Sequence, residues 1–429
     1  MKKSRTKQTA RIPRSCSETL PPASKQPIAE MLVDVRRSLR ELVVSKGLEV
    51  FAQLLEEDRT ALCGPKNQPQ EQRQAYRHGH DDGQQVFGGR KIRLRKPRVR
   101  SVAGEEIELP TWRQMSQQEP LGERVIEQML VGVSTRNYGR SLEPLPVAVS
   151  ITGTSRSAVS RQFVARTRGQ VEKFLLRRLD ELDLHVIMLD GTGMGDHVLV
   201  VALGIDAKGH KHVLGVTEGS TESEQVCRGL LQQLIERGVV LERARLFVID
   251  GGKGIRKAIR ETFGSWALIQ RCQVHKLRNV VEHLPQNKRA WVRAAMNRAW
   301  GQATVAGARG KLRDLSAQLE EQYPSAAKSI LEGLDETLTV IALGVGPALS
   351  KTMRSTNPIE NLQGTLKRVT RNVKRWRGGS MALRWVVSGL LEAQKRFRRV
   401  KGYREMPHLT AALEATIKCE PVDSNAKIA

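Results

Sequence analysis

Two short apolar runs in this 429-residue chain each lead straight into an aspartate. Residues 185–189 (His-Val-Ile-Met-Leu) precede Asp190, and residues 245–249 (Arg-Leu-Phe-Val-Ile) precede Asp250. Between them, residues 197–205 are apolar almost without a break, as a strand buried on both faces must be. Asp206-Ala-Lys-Gly209 reads as a turn and residues 212–216 as a third short strand. Residues 222–237 have the period of an amphipathic helix, which Gly238 ends. Gly251-Gly252 opens another helix to about Phe263, and residues 267–269 suggest a fifth strand running into Cys272-Gln-Val-His275. The apolar run sets the expected end of the first strand at Asp190, and the stretch after it is Gly-rich (Gly191, Gly193, Gly195).

Three consecutive strands, a helix and a strand ending in an acid is the ribonuclease H-like order. It predicts an α/β core in which the first and fourth strands lie side by side, so that Asp190 and Asp250 come within reach of each other. Carboxylates held that close repel and need compensation. Magnesium, a hard cation that takes oxygen ligands, supplies it, and manganese can substitute. Two such ions about 3.5–4 Å apart can activate an attacking oxygen and stabilise a leaving one. Asp183, Asp196 and Asp206 compete with Asp190 but fall in expected loops.

A third acid is expected on a helix. In Thr356-Asn-Pro-Ile-Glu360 the expected N-cap is Asn357, with Pro358 at the first helical position and Glu360 at the third. Ile359, Leu362, Leu366, Val369 and Val373 recur at spacings of three and four, which marks a buried stripe. Gln363, Lys367, Arg371 and Lys374 follow Glu360 along the adjacent face. A metal ligand followed by a phosphate track fits that face; a capping-box glutamate with no ligand role is the plainer alternative. Cys272 and His275 stand three apart at a helix start. One such pair cannot complete a four-ligand zinc site, which leaves a structural role beside the acids or, for His275, a contact to substrate phosphate.

Charge names the class of partner. Lys plus Arg number 71 against 45 Asp plus Glu, a net charge of 71 − 45 = +26, with a pI near 10.3. That points to a polyanion, nucleic acid before a membrane surface. No stretch approaches the roughly 18–20 apolar residues of a membrane span. The five cysteines (Cys16, Cys63, Cys227, Cys272, Cys419) are scattered and odd in number, which fits a reducing cytoplasm better than a disulfide framework.

The flanking segments read as follows. Residues 1–27, with four prolines, form a basic tail; a transit peptide has the same composition, and the flexible tail is preferred. Residues 28–62 carry one or two helices. Residues 91–100 alternate basic and apolar side chains. They predict a strand with Lys91, Arg93 and Arg95 on a cationic face, suited to phosphates or simply a charge-guarded edge. Residues 146–151, a Gly153-Thr-Ser155 turn with Ser155 as N-cap and a helix bearing Arg156, Ser157, Ser160 and Arg161 resemble a helix-turn-helix. Residues 286–345 are helical throughout, a helix is expected within 353–375, and beyond Met406 the chain reads as a tail.

At several of these residues the chain resembles the bacterial insertion-sequence transposases of the Mutator-like (DDE) superfamily. The resemblance is carried by Leu189-Asp-Gly191, Val248-Ile-Asp-Gly-Gly-Lys-Gly254, Cys272-Gln-Val-His-Lys-Leu-Arg-Asn279 and Ser355-Thr-Asn-Pro-Ile-Glu360. Leu366-Lys-Arg-Val-Thr-Arg371 and Trp376-Arg continue it. Tyr76-Arg-His-Gly79 and Gly132-Val-Ser-Thr-Arg136 extend it upstream, so it covers most of residues 40–405.

The resemblance implies an acidic triad of Asp190, Asp250 and Glu360. The last two stand 360 − 250 = 110 residues apart, a gap the family fills with an all-helical insertion. It also implies DNA contacts or support around Cys272, His275, Arg278, Asn279, Asn357, Lys367, Arg368 and Arg371. Terminal inverted repeats would be bound by the N-terminal region. The expected partners are double-stranded DNA, both repeat and target, and a second copy of the chain, because both element ends are processed together. The expected domains are 1–27 tail, 28–112 helices and basic hairpin, 113–182 helical DNA-binding region, 183–285 first part of the core, 286–350 helical insertion, 351–405 the part of the core with the glutamate helix, and 406–429 tail. The rival expectations are a degenerate relative that represses by binding DNA, and a structure-selective nuclease with the same core.

Overall fold

The computed structural model describes residues 28–68, 75–117, 120–143, 151–219 and 223–418. The basic tail 1–27, residues 146–150 of the helix-turn-helix, Cys16, Cys419 and the last eleven residues lie outside that set. Chain contacts separate two units: Met1–Gly83 with Arg93–Gln114 and Glu143–Ser150, and Gln84–Ile92 with Met115–Leu142 and Ile151–Ala429.

In the first unit, helix α1 (Ile28–Cys63) is one continuous helix. Leu42 and Val43, part of the apolar pattern that predicts it, face solvent; Val44, Phe51 and Leu55 are buried instead. Strands β1 (Ala75–Phe87), β2 (Arg90–Ser101) and β3 (Glu106–Ile107) lie in that order in one sheet. The β1–β2 turn falls in Gln84–Ile92, which belongs to the second unit, and there Gly88 and Gly89 both take positive φ, as a two-residue hairpin of this type requires. On β2, Arg93 and Arg95 are exposed while Ile92 is fully buried, which matches the expected alternation. Helix α2 (Pro110–Gln117) brings Trp112 against Phe51, centroids 6.2 Å apart, with the Lys96 ammonium over the indole.

The second unit opens with α3 (Pro120–Leu130). Residues 151–152, expected as the end of a short helix, form strand β4 (Ile151–Thr152), which pairs with Lys91 and Ile92. Ser155 caps α4 (Arg156–Leu176) as expected, accepting from the Ala158 N–H at 3.3 Å.

Five strands then build the central sheet: β5 (Leu184–Met194), β6 (His197–Asp206), β7 (Lys211–Gly219), β8 (Arg245–Ile249) and β9 (Ala267–Arg271), in the order β7-β6-β5-β8-β9. β5, β6 and β7 form the antiparallel meander, and β8 and β9 run parallel to β5. Helices α5 (Glu224–Glu236) and α6 (Lys253–Phe263) cover one face, packing Leu230, Leu234, Ile255 and Ile259 on Ile187, Leu189 and Phe247. The other face packs Val186, Met188, Val201 and Val248 against apolar residues from later in the chain. Burial on both faces explains why these strands read as unbroken apolar runs.

One expectation about β5 is corrected. The strand does not stop at Asp190. Gly191–Met194 continue it, paired with β6 as far as Met194 opposite His197, and the chain reverses at Gly195, which has φ +64°. The glycines suggest a loop when read locally, but the β6 backbone satisfies their hydrogen bonds.

After β9 the chain turns helical: α7 (Gln273–Glu282), α8 (Gln286–Trp300), α9 (Val305–Glu320), α10 (Pro324–Leu331), α11 (Thr339–Ala342) and α12 (Pro347–Met353). The segment from α7 to α10 has its own core around Val280, Val292, Met296, Leu312, Leu315 and Ile330, in agreement with the expected all-helical stretch. Helices α13 (Asn357–Thr370) and α14 (Gly379–Gln394) return to the sheet and pack Ile359, Leu362, Leu366, Val386 and Leu390 on it. Residues 406–418, expected as tail, form α15 (Met406–Lys418), whose Met406, Leu409 and Leu413 are buried in that same cluster.

Candidate active site

The placement of Asp190 and Asp250 follows from strand register. In the parallel pair, Val186 stands opposite Leu246, Ile187 opposite Phe247 and Met188 opposite Val248. The offset is 246 − 186 = 60 residues, and 250 − 190 gives the same 60. Asp190 and Asp250 each stand two residues beyond the last pair of that register, so continuing it puts them at one level, just past the end of β8. Asp190 is 8% exposed, and Asp250 is half-buried. The Asp250 Oδ1 accepts from the Gly252 N–H at 2.9 Å, which pins the carboxyl to its own turn. Gly251 has φ +106°, and a Cβ there would collide with the Arg271 guanidinium, so the turn needs glycine on both counts.

Glu360 comes from α13. Its helix starts one residue earlier than expected: the N-cap is Thr356, which makes Asn357 the first helical residue and Glu360 the fourth. The Asn357 side chain is exposed and does not cap. Pro358 is tolerated in the first turn, where its missing N–H costs nothing. On the same face of α13, the Gln363 amide donates to the Gly191 carbonyl at 2.9 Å. That bond ties the glutamate helix to the residue next to Asp190.

A second group of contacts holds the Glu360 carboxylate. The Thr356 hydroxyl donates to Glu360 Oε1 at 3.1 Å, and His275 Nε2 stands 3.5 Å from the same oxygen. The Thr356 hydroxyl also lies 3.3 Å from His275 Nδ1 and 3.4 Å from Cys272 Sγ, and the Thr356 N–H points at that sulfur too. Cys272 is fully buried, and its own N–H donates to the Ile249 carbonyl at the end of β8 at 2.7 Å. Its hydrogen bond with Cys272 raises the His275 imidazole above the ordinary histidine value; burial opposes this, and the charges of Cys272, Glu360 and Asp250 add to the rise. Burial pushes the Cys272 thiol up, but hydrogen bonds from His275 and Thr356 outweigh it and leave the thiol lowered.

Other expected residues are brought only partly together. Arg278 and Asn279 are exposed on α7, one turn beyond His275 on the same face. Lys367, Arg368 and Arg371 are exposed along α13 and just past its end. Arg156, Ser157, Ser160 and Arg161 line the solvent flank of α4, opposite its buried Val159, Phe163 and Val171. Arg93 and Arg95 belong to the other unit. Thr356 and Gln363 are the positioning residues that motif reading passes over. The threonine at a helix start was a visible signal; the Gln363 contact reaches across 172 residues and was not.

Among the described residues, no three His, Cys, Asp or Glu side chains form a group that could hold a metal ion. The chemistry of the three carboxylates still suits a hard divalent cation, and not a thiophilic one. Nor is any described helix long and apolar enough to cross a membrane.

Comparison with known proteins assigns the chain to a family. The chain belongs to the Mutator family of transposases, which it matches over residues 29–400. It is 27% identical over 393 residues to the transposase for insertion sequence element ISRM5 of Rhizobium meliloti, spanning 89% of this chain and 94% of that protein. It is 28% identical over 344 residues to the IS256 transposase of transposon Tn4001 from Staphylococcus aureus, spanning 76% and 83%. The IS1081 transposase of Mycobacterium tuberculosis matches at 26% over 418 residues, 92% of this chain and 94% of that one.

Proposed function

We propose that this transposase binds the terminal inverted repeats of its mobile element and carries out metal-dependent strand cleavage and strand transfer into target DNA. Asp190, Asp250 and Glu360 are its catalytic carboxylates. The observation that carries the reading is the shared 60-residue offset, which sets both aspartates at one level, with the glutamate helix bonded to Gly191 beside them. The strand order β7-β6-β5-β8-β9 supports a ribonuclease H-like core, interrupted by the helical segment at 286–350 and preceded by a DNA-binding N-terminal region.

The three carboxylates would hold two magnesium ions, with manganese able to substitute. When bound, such ions supply charge stabilisation for a nucleophile and a leaving oxygen at phosphorus. The protein's own part is orientation. The Gly252 N–H fixes Asp250, and Thr356 with His275 fixes Glu360. The exposed cations Arg278, Lys367, Arg368 and Arg371 face the phosphates of double-stranded DNA. The working unit is a homodimer or larger assembly on DNA in the bacterial cytoplasm, at the nucleoid.

The test is cleavage of a duplex carrying the element's own end, with magnesium, by the intact chain and by Asp250→Ala. The intact chain alone should cut at the repeat boundary, while both bind the repeat. Equal cutting by the two proteins overturns the assignment.

A further inference from the structure

The segment after α14 is Lys395-Arg-Phe-Arg-Arg-Val-Lys-Gly-Tyr-Arg404, six cations in ten residues with no acid. None of these residues belongs to the triad or to the motif positions assigned above. The segment is held firmly in place. Val400 is buried and its N–H donates to the Gly209 carbonyl at 2.9 Å, the Lys401 carbonyl accepts from Thr352 at 3.0 Å, and Arg399 stacks on Tyr403. Opposite it runs the flank of α13 that bears Asn361, Thr365 and Arg368, at spacings of four and three. Between the two banks lies a groove of about 560 Å³.

The groove is cationic on both sides. Arg368 and Arg371 come from the α13 bank, Arg396 and Arg398 from the basic segment, and Lys211 from β7. Its one acid, Glu392, is already paired with Lys395 at 2.9 Å and with Arg396 at 3.5 Å. Arg368, Arg371 and Arg398 are exposed and have no acid partner among the described residues. Cations spread along two fixed banks suit a polyanion with regularly spaced charges better than a single small anion. Pro358 and Asn361, which flank Glu360 in the chain, line the same groove, so it begins within one helical turn of the catalytic carboxylate.

We propose that this groove is a duplex-DNA track that grips the phosphate backbone without regard to sequence, with Arg396 and Arg398 forming the bank that faces α13. The proposal rests on the DNA-processing reading above and adds a surface to it. Arginines on phosphates fix position and carry no base information. The groove therefore contributes equally to repeat-bearing and unrelated DNA.

The experiment measures binding of fluorescent 30-base-pair duplexes, one with the element end and one scrambled, by the full chain in EDTA across a salt series. Arg396→Gln/Arg398→Gln is compared with the unaltered chain and with Lys311→Gln/Arg313→Gln, which removes the same charge from an exposed stretch of α9. The groove variant should lose roughly tenfold in affinity or more for both duplexes. Its slope of log K against log salt should flatten by about 0.9 for each phosphate it no longer neutralises. The α9 variant should keep the slope. An unchanged slope in the groove variant, or equal flattening in both variants, overturns the proposal. So does a slope that holds while the particle mass by light scattering falls, which would make the groove a contact between copies. If Arg396→Gln/Arg398→Gln binds normally and Asp250→Ala still fails to cut, the groove falls and the transposase site stands. If the unaltered chain binds neither duplex, both readings fall.

Discussion

The central sheet and the N-terminal sheet are made of the same backbone and serve opposite ends. Along β5 and β8 nearly every side chain is buried, including those between the aspartates and the strand starts. Along β1 most side chains are exposed or half-exposed, and on β2 the arginines at 93 and 95 face water. A strand buried on both faces cannot slip by one residue without moving its whole apolar set, so its register is fixed. That rigidity sets two carboxylates at one level. The N-terminal sheet keeps one face solvated and cationic, and what that face can offer is charge.

Substitutions in the two sheets and around the site test that contrast. The largest effect is expected at Glu360. If Glu360 holds metal as proposed, Glu360→Gln should lower the cleavage rate by roughly 10³-fold or more, since its loss would remove several kcal/mol of charge stabilisation. DNA binding should persist. Near-normal strand joining by this variant would remove Glu360 from the site. In the core on the face of the sheet covered by α5 and α6, Ile187→Ala should cost about 2–5 kcal/mol in urea denaturation, the usual range for truncating a fully buried aliphatic side chain. A loss below about 1 kcal/mol would mean that the sheet is less tightly packed than its burial indicates.

Smaller effects separate charge from chemistry. Arg93→Gln/Arg95→Gln should weaken DNA binding and flatten its salt dependence by about 0.9 per phosphate left without its cation, leaving cleavage of saturated DNA unchanged. A fall in the saturated rate would give this sheet a part in the chemistry. Gln363→Ala removes the bond to Gly191. It should reduce turnover by about tenfold with little change in affinity, equivalent to about 1.4 kcal/mol. An affinity loss at unchanged turnover would make Gln363 a DNA contact instead.

The smallest effect concerns Lys276. Burial lowers its pKa to about 8, the Arg271 charge adds, and Glu332 and Glu336 oppose. The folded value lies below the unfolded value of roughly 10.4, so between these pH values the unfolded chain binds the extra proton. The burial penalty is therefore full below pH 8 and is relieved as pH rises toward 10. The stability of the native chain relative to Lys276→Met should shift in the native chain's favour from pH 7 to pH 10. A flat difference would show that the ammonium is not desolvated.

Much of the core was legible in the sequence because its signals are local. Arg245–Ile249 is the strand that its apolar run predicts, and the buried stripe of α13 appears at Ile359, Leu362, Leu366 and Val369. The misreadings have physical causes. Gly191–Met194 look like a loop until β6 supplies their hydrogen bonds. Residues 406–418 look like a tail, although Met406, Leu409 and Leu413 have helical spacing, because nothing local shows the core that receives them. At the start of α13 two cap-forming residue types stand side by side, and the N-cap position falls on Thr356, whose side chain makes no capping bond, and not on Asn357.

The order of residues was enough to dictate the α/β succession, the placement of two aspartates after apolar strands, the glutamate near a helix start and the cationic character of the whole. These depend on periodicity, turn chemistry and charge, which act within a few residues. Folding in three dimensions was needed to set the aspartates at one level. It was also needed to gather Thr356, His275 and Cys272 on Glu360, and to make a basic segment near the C-terminal end one bank of a groove along α13. Those facts depend on strand register and on contacts spanning 49 to 191 residues. Packing fixes such distances, and no local propensity encodes them.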